Sequence, residues 1–434
     1  MSLSHSESQL YLGKNSNEAK PMRTPSPVRA ALVCAVLSIS PLVAGSQTHI
    51  RLGVDKLADG LPPVLAGKRI GLITNHTGHD SKRQATIDIL AASKDAKLVA
   101  LFAPEHGIRG ASTGRIENET DSKTGLPVFS LFGATQKPTP EMLASVDALV
   151  FDIQDVGVRQ YTYISTLGLA MQAAAEKKIP IVVLDRPNPI GGEIIEGNIR
   201  EDGLQSFVGL YPIASRYGLT AGELAQMYNK HYGINADLHV VKMDGWKRNL
   251  WIDQTDLPWT GPSPNLPKFS GVISYPGTVF FEGTNLSEGR GSDAPFEQTG
   301  APWLRNTVVV DSMNAKHLPG VRFEAVQMTI APNARKYGGQ TIPGVKLIVT
   351  DRAKYRPVAT TMRLMDTIRR LHPNDFQWRS SKTADGKENF SLDRLTGSIR
   401  IRSAIENGTL DALLAEWDKD AGRFREMSKP YLLY

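Results

Sequence analysis

From residue 50 onward, short and nearly continuous apolar runs alternate with stretches of helical spacing. Residues 69–75, 97–103, 147–153 and 179–185 each read as a strand with both faces buried. Between them, 81–92 carries Ile87, Leu90 and Ala91 at helical spacing, and 162–178 carries Leu167, Met171, Ala174 and Ala175 on one face. A hairpin-like segment around 125–133 precedes the third strand. Residues 220–233 open with Thr220 and Glu223 in capping-box spacing and close on Gly233. A strand at 238–243 and a tryptophan-rich segment (Trp246, Trp251, Trp259) follow. The alternation predicts an α/β fold with a doubly wound, mostly parallel sheet.

Residues 261–267 (Gly-Pro-Ser-Pro-Asn-Leu-Pro) are too rich in proline for a helix or a central strand, and read as a rigid loop and domain seam. Beyond Ser270 the pattern changes to β-rich segments (322–330, 345–350) and two helices (358–371, 409–426). The expected layout is a targeting segment over 1–47, a sheet domain over 48–272 and a smaller α+β domain over 273–434.

The chain of 434 residues is 41% hydrophobic and 22% charged, as in an ordinary globular protein. In residues 1–47, Arg23 and Arg29 precede an apolar run at 30–43, and Ala44, Gly45 and Ser46 follow. This is the pattern of an export signal, with an uncleaved anchor as the alternative. The expected location is therefore periplasmic or secreted, with no stable membrane insertion once the signal is removed. The single cysteine, Cys34, falls inside that run, so the mature chain would need no disulfide. The formal charge is +6; without the four basic and two acidic residues of 1–47 it is +4. So mild an excess argues against nucleic acid as a partner and suits an anionic polymer.

Polar residues gather at the ends of the four strands: Asn75-His76, Glu105-His106, Gln154-Asp155 and Asp185-Arg186. In open α/β sheets ligands bind outside the carboxyl ends of the strands, so these are the candidate site. Asp152 within the third strand reads as a satisfied buried carboxylate. Asp155, Arg159, Tyr161 and Tyr163 offer a carboxylate, a cation and two sugar-stacking phenols, against the plainer reading of a helix cap. A second polar cluster, Glu282, Asn285, Glu288 and Arg290, is packed between glycines. No G-x-G-x-x-G follows the first strand, no G-x-S-x-G elbow occurs, and no metal-ligand spacing is present, so neither a cofactor nor a metal is expected.

A carboxylic acid at a strand end beside carbohydrate-friendly groups suits glycoside hydrolysis. Glu105 is the chosen acid. The second group is Glu282, Glu288 or Asp155, or the substrate's own acetamido group. His106 and Arg109 would position the acid or bind a carboxylate.

These residues sit in longer strings: Leu72-Ile-Thr-Asn-His-Thr-Gly78, Pro104-Glu-His-Gly-Ile-Arg-Gly110, Thr124-Gly-Leu-Pro-Val128 and Asp152-Ile-Gln-Asp-Val-Gly-Val-Arg-Gln-Tyr-Thr-Tyr163. Asp185-Arg-Pro-Asn-Pro-Ile-Gly-Gly192, Pro262-Ser-Pro-Asn-Leu-Pro267 and Glu282-Gly-Thr-Asn-Leu-Ser-Glu-Gly-Arg-Gly291 complete the set. Taken in order, they resemble the bacterial exo-β-N-acetylmuramidase family. The resemblance implies a Rossmann-like domain, a smaller C-terminal domain and a cleft between them. It also implies release of N-acetylmuramic acid (MurNAc) from the non-reducing ends of peptidoglycan fragments such as MurNAc-GlcNAc, in cell-wall turnover, with the catalytic glutamate at Glu105. Two other readings stand beside it. One is a non-catalytic muropeptide-binding protein; the other is an esterase or amidase using a serine such as Ser165.

Overall fold

The computed structural model describes residues 47–110, 117–383 and 385–434. The leader-like stretch up to Ser46, with Cys34, lies outside them. A seven-stranded sheet is built from β1 (Arg69–Thr74), β2 (Lys97–Ala103), β3 (Glu119–Thr120), β4 (Pro127–Ser130), β5 (Ala148–Asp152) and β6 (Ile181–Leu184), closed by β9 (Leu238–Val241). Its order is β3-β4-β2-β1-β5-β6-β9, and only the short β3 runs antiparallel to its neighbour. Apart from β3, this is the order of a doubly wound fold, with β2 on one side of β1 and β5 on the other. The register sets Thr74 beside Asp152 and Ile73 beside Phe102, so the carboxyl ends line up along one edge.

Both faces of the sheet are covered, which is why its strands read as continuous apolar runs. Ile73, Phe102, Leu149, Phe151 and Val183 pack against α2 (Tyr163–Lys177) and α3 (Ala221–Lys230). Ile70, Leu72, Leu101, Val150 and Val182 pack on the other side with Ile87 and Leu90 of α1 (Thr86–Ala91). The capping box at Thr220 and Glu223 is formed in both directions. Helix α1 starts five residues later than its periodicity suggests. The Asp80 carboxylate accepts the N–H groups of Lys82 and Gln84 and ties that stretch into a turn instead.

Two short strands, β7 (Glu196–Ile199) and β8 (Ala214–Arg216), form a separate antiparallel pair. The C-terminal part holds an antiparallel sheet of β10 (Gln298–Gly300), β11 (Val321–Thr329) and β12 (Thr341–Val349). Around it lie α4 (Phe269–Thr278), α5 (Asn306–Asn314), α6 (Pro357–Leu371), α7 (Ser391–Thr396), α8 (Arg400–Glu406) and α9 (Leu410–Ser428). Helix α4 was not legible in the pattern because Gly271, Pro276 and Gly277 interrupt it. The glycine has a packing reason: a Cβ on Gly277 would lie 2.0 Å from the Pro357 carbonyl oxygen at the start of α6. This helix runs across positions 272 and 273. The core cluster on the α2 face continues past it to Met362 and Leu364 of α6 and Trp417 of α9.

Candidate active site

Glu105 follows β2 in a tight turn, with His106 and Gly107 both in the left-handed region at φ 74°. The Gly107 N–H closes the turn on the Pro104 carbonyl at 3.0 Å. The half-buried Glu105 carboxylate accepts the Thr162 hydroxyl at 2.6 Å on Oε2. Thr162 is the N-cap of α2, yet its side chain caps nothing in the helix. The hydroxyl is committed to the loop after β2, and the carboxylate therefore lies at the positive end of α2.

The loop after β1 packs against this turn. Gly110 has φ 72°, and a Cβ there would sit 2.0 Å from Nδ1 of His76. His76 donates from Nε2 to the Gly261 carbonyl at 2.8 Å, which leaves Nδ1 as the acceptor nitrogen. Burial pushes the His76 imidazole down against that bond, with His106 and His79 adding to the effect, so it is neutral near pH 7. His79 bonds Thr260 at 2.9 Å, and the Tyr163 hydroxyl donates to Pro262 at 2.7 Å. The proline-rich segment is thus stitched over the strand ends by three side chains.

After β5, the Asp155 carboxylate is buried. Its Oδ2 accepts Gly157 N–H at 2.7 Å and the Tyr217 hydroxyl, while Oδ1 has no partner among the described residues. Burial pushes this carboxyl up to about 7, against the hydrogen bonds that favour the ionised form. Tyr161, Tyr163 and Tyr275 form an edge-to-face cluster, with centroids 4.9 and 5.6 Å apart. Burial raises the Tyr275 phenol, and the carboxylates of Glu282, Glu105 and Asp155 raise it further against Arg290. The Tyr275 ring also packs edge-on to Phe296 at 4.8 Å, and Arg290 lies over Phe296 at 4.9 Å, so the start of α2 and the 282–291 cluster meet at this ring.

In that cluster Arg290 bridges Glu282 and Glu288, the latter at 3.1 Å, and Lys336 meets Glu288 at 3.0 Å. Burial alone would raise the Glu288 carboxyl; Lys336 and Arg290 outweigh it and hold it below the ordinary range.

The comparisons with known proteins match this architecture. The N-terminal profile of the exo-β-N-acetylmuramidase NamZ family covers residues 70–270, and its C-terminal profile covers 273–434. The chain belongs to that family. It is 48% identical over 391 residues to the peptidoglycan β-N-acetylmuramidase NamZ of Bacillus subtilis, spanning 89% of this chain and 92% of that protein. Two crystal structures of DUF1343 family proteins from Bacteroides fragilis share the fold. One has a TM-score of 0.81 at 39% identity, covering 89% of this chain and 100% of the other. The second has a TM-score of 0.69 at 30% identity, covering 89% and 99%.

Several residues singled out in the sequence take other roles in this member of the family. Tyr161 and Tyr163 do not present faces for a sugar: both are buried in the aromatic cluster, and the Tyr163 hydroxyl is spent on Pro262. Arg159 lies in the interior and donates to the carbonyls of Asn198, Ile213 and Thr396, with burial pushing it down to about 9. Asn285 clamps the Asp375 carbonyl and the Gln377 N–H at 2.8 and 3.0 Å. Arg109 pairs with Asp121, which in turn holds Thr124. Asn75 keeps Thr77 in place through Oδ1, while its Nδ2 has no partner among the described residues. Asp152 is the satisfied carboxylate it resembled, paired with Arg186 through two nitrogens at 2.5 and 2.8 Å. Ser165 is buried in the first turn of α2. Among the described residues no three His, Cys, Asp or Glu side chains gather closely enough to hold a metal ion. Sequence reasoning missed Thr162, Tyr217 and Tyr275. Only Thr162, the first residue of the helical pattern, carried a local signal.

Proposed function

We propose that this protein is an exo-acting β-N-acetylmuramidase that releases MurNAc from the non-reducing end of peptidoglycan fragments such as MurNAc-GlcNAc. Glu105 is the general acid. The observation that carries this reading is the placement of Glu105: a carboxyl at the carboxyl edge of the sheet, held by a neutral hydroxyl and met by no cation among the described residues. Because Oε2 already accepts from Thr162, the deliverable proton resides on Oε1. Donation from that oxygen to the glycosidic oxygen breaks the bond to the GlcNAc leaving group as positive charge develops at the anomeric carbon.

Of the other carboxyl groups, Glu282 and Glu288 are engaged by Arg290 and Lys336. Asp155 keeps one oxygen without a partner among the described residues, and its carboxyl, at about 7, suits a group that exchanges a proton near neutrality. That oxygen is enclosed by protein, so Asp155 is assigned as a support beneath the site, and the substrate's own acetamido group as the second group. An exported location, periplasmic or secreted, fits a cell-wall substrate and the signal-like pattern before residue 47. Among the described residues no helix is long and apolar enough to cross a membrane.

The test is hydrolysis of a chromogenic β-N-acetylmuraminide by the full chain and by Glu105→Gln, with the β-N-acetylglucosaminide as control. The expected result is release from the muraminide alone, reduced in the variant by about 10² or more, with the melting temperature unchanged. A folded wild-type protein that binds MurNAc-GlcNAc and releases nothing would make it a binding protein instead.

A further inference from the structure

The 282–291 cluster has a second side. Directly beyond Glu282, residues 284–285 join 335–337 and 377–380 around an open groove of about 540 Å³, within the roughly 300–1,000 Å³ of small-ligand sites. Among the described residues three cations line it, Arg335, Lys336 and Arg379, and no carboxylate does. Lys336 is already engaged by Glu288 and by the carbonyls of Phe281 and Leu286. The Arg335 and Arg379 guanidinium groups have no acidic partner among the described residues, although Arg379 is half-buried.

Two aromatic rings share this groove, and both are fixed from behind. The Trp378 indole N–H donates to Glu406 at 2.6 Å, and the Tyr337 hydroxyl donates to the Asn285 carbonyl at 2.6 Å. Asn285 in turn holds Asp375 and Gln377. The groove is therefore preorganised, and its unsatisfied chemistry is two forked cations beside half-buried aromatic surface. Guanidinium groups match carboxylates, and aromatic rings match the apolar faces of pyranose sugars. A linear run of ion pairs, Lys336–Glu288–Arg290–Glu282, leads from the groove to Phe296 under Arg290, and the rings of Tyr275 and Tyr161 continue from there to Thr162, which holds Glu105.

We infer that this groove is a binding site for the continuing glycan chain, on the leaving-group side of the cleaved bond. Its ligand is a β-linked amino-sugar chain, recognised through the carboxylate of an internal lactyl-bearing sugar by Arg335 and Arg379. The inference rests on the muramidase reading and deepens it: the enzyme prefers chains longer than a disaccharide and reads a charge beyond the first linkage.

The experiment compares steady-state release of MurNAc from three substrates: the aryl muraminide, MurNAc-GlcNAc and (MurNAc-GlcNAc)₂. The enzymes are the wild type and the double variant Arg335→Gln/Arg379→Gln. In the wild type the tetrasaccharide has the lowest KM. The variant raises that KM by about five- to tenfold, leaves kcat and the two shorter substrates unchanged, and loses the salt dependence of tetrasaccharide binding. An equal loss on all three substrates, or no change on any, overturns the inference. Calorimetric binding of the tetrasaccharide to both proteins gives a readout independent of turnover. If the wild type releases nothing from the muraminide, the muramidase reading fails, while the binding comparison still decides whether the groove takes a carboxylated glycan.

Discussion

The two acidic regions of this molecule are treated in opposite ways. In the 282–291 cluster each glutamate meets a cation: Glu282 meets Arg290, and Glu288 meets both Arg290 and Lys336. Among the described residues at the carboxyl edge of the sheet, only Asp152 is compensated like this, by the buried Arg186. Asp155, three residues further along, is held by a phenol and an amide, and Glu105 by a hydroxyl. A carboxylate locked to a cation stays ionised and serves as structure. One held only by neutral donors keeps its ability to exchange a proton. The contrast separates scaffold from chemistry within a few residues of chain, and three substitutions would break it or sharpen it.

The largest effect is expected at the compensated end. Asp152→Asn leaves the Arg186 guanidinium buried without its counter-ion, since both side chains are almost wholly enclosed. Breaking such a pair costs about 3–5 kcal/mol. Urea unfolding should show that loss, with muraminide turnover by the remaining folded protein little changed. A variant as stable as the wild type would mean that Asp152 is not the anchor described here.

The uncompensated partner should behave differently. Asp155→Asn can still accept from Gly157 and Tyr217 and places an amide where the unpartnered Oδ1 lies. The Asp155 carboxyl is raised by burial from 3.8 to about 7. The folded state therefore holds this proton more tightly than the unfolded chain. The stability it contributes is fully present below about pH 4 and is lost as pH rises through 7. The substitution removes that dependence. Relative to the wild type, the variant should gain roughly 4 kcal/mol between pH 4 and pH 8, measured as unfolding free energy at each pH. The other raised carboxyls, Asp185 at about 6 and Glu196 at about 7, keep a residual slope in both proteins. Parallel pH profiles would show that Asp155 does not titrate where its burial places it.

The difference between the two regions was only half visible in the sequence. Strands apolar on both faces announced the parallel sheet, and their polar ends located Glu105, Asp155 and Asp185 without any contact information. The capping box at Thr220 was equally legible, because both of its partners lie within one turn. What pairs with what was not legible. Arg159 reads as a site cation beside Asp155, but its partners include the Thr396 carbonyl far along the chain, and they draw it into the interior. Tyr161 and Tyr163 read as sugar-stacking phenols at the start of a helix. Tyr275, on a helix hidden by Pro276 and two glycines, packs on Tyr161, which in turn packs on Tyr163. The cation accounting that distinguishes the two acidic regions is tertiary for the same reason: Lys336 and Arg186 are each brought to their carboxylates by a separate segment of chain.

The finest test of the comparison is the hydroxyl on Glu105. Thr162→Val keeps the shape and removes the 2.6 Å hydroxyl donor to Oε2. The helix should tolerate this, since the Thr162 side chain makes no cap bond to α2. One consequence follows from losing the donor that fixes the orientation of the Glu105 carboxyl. The carboxyl turns more freely, so kcat should fall about three- to tenfold with KM unchanged. Thr162→Ser restores the donor and should restore kcat. A purely structural role would lower the melting temperature and leave the kcat of the folded enzyme in place. A neutral donor aims its carboxyl, whereas the cations around Glu288 hold that carboxylate in ion pairs, so a fall in kcat alone, reversed by serine, would place Glu105 on the working side of the comparison.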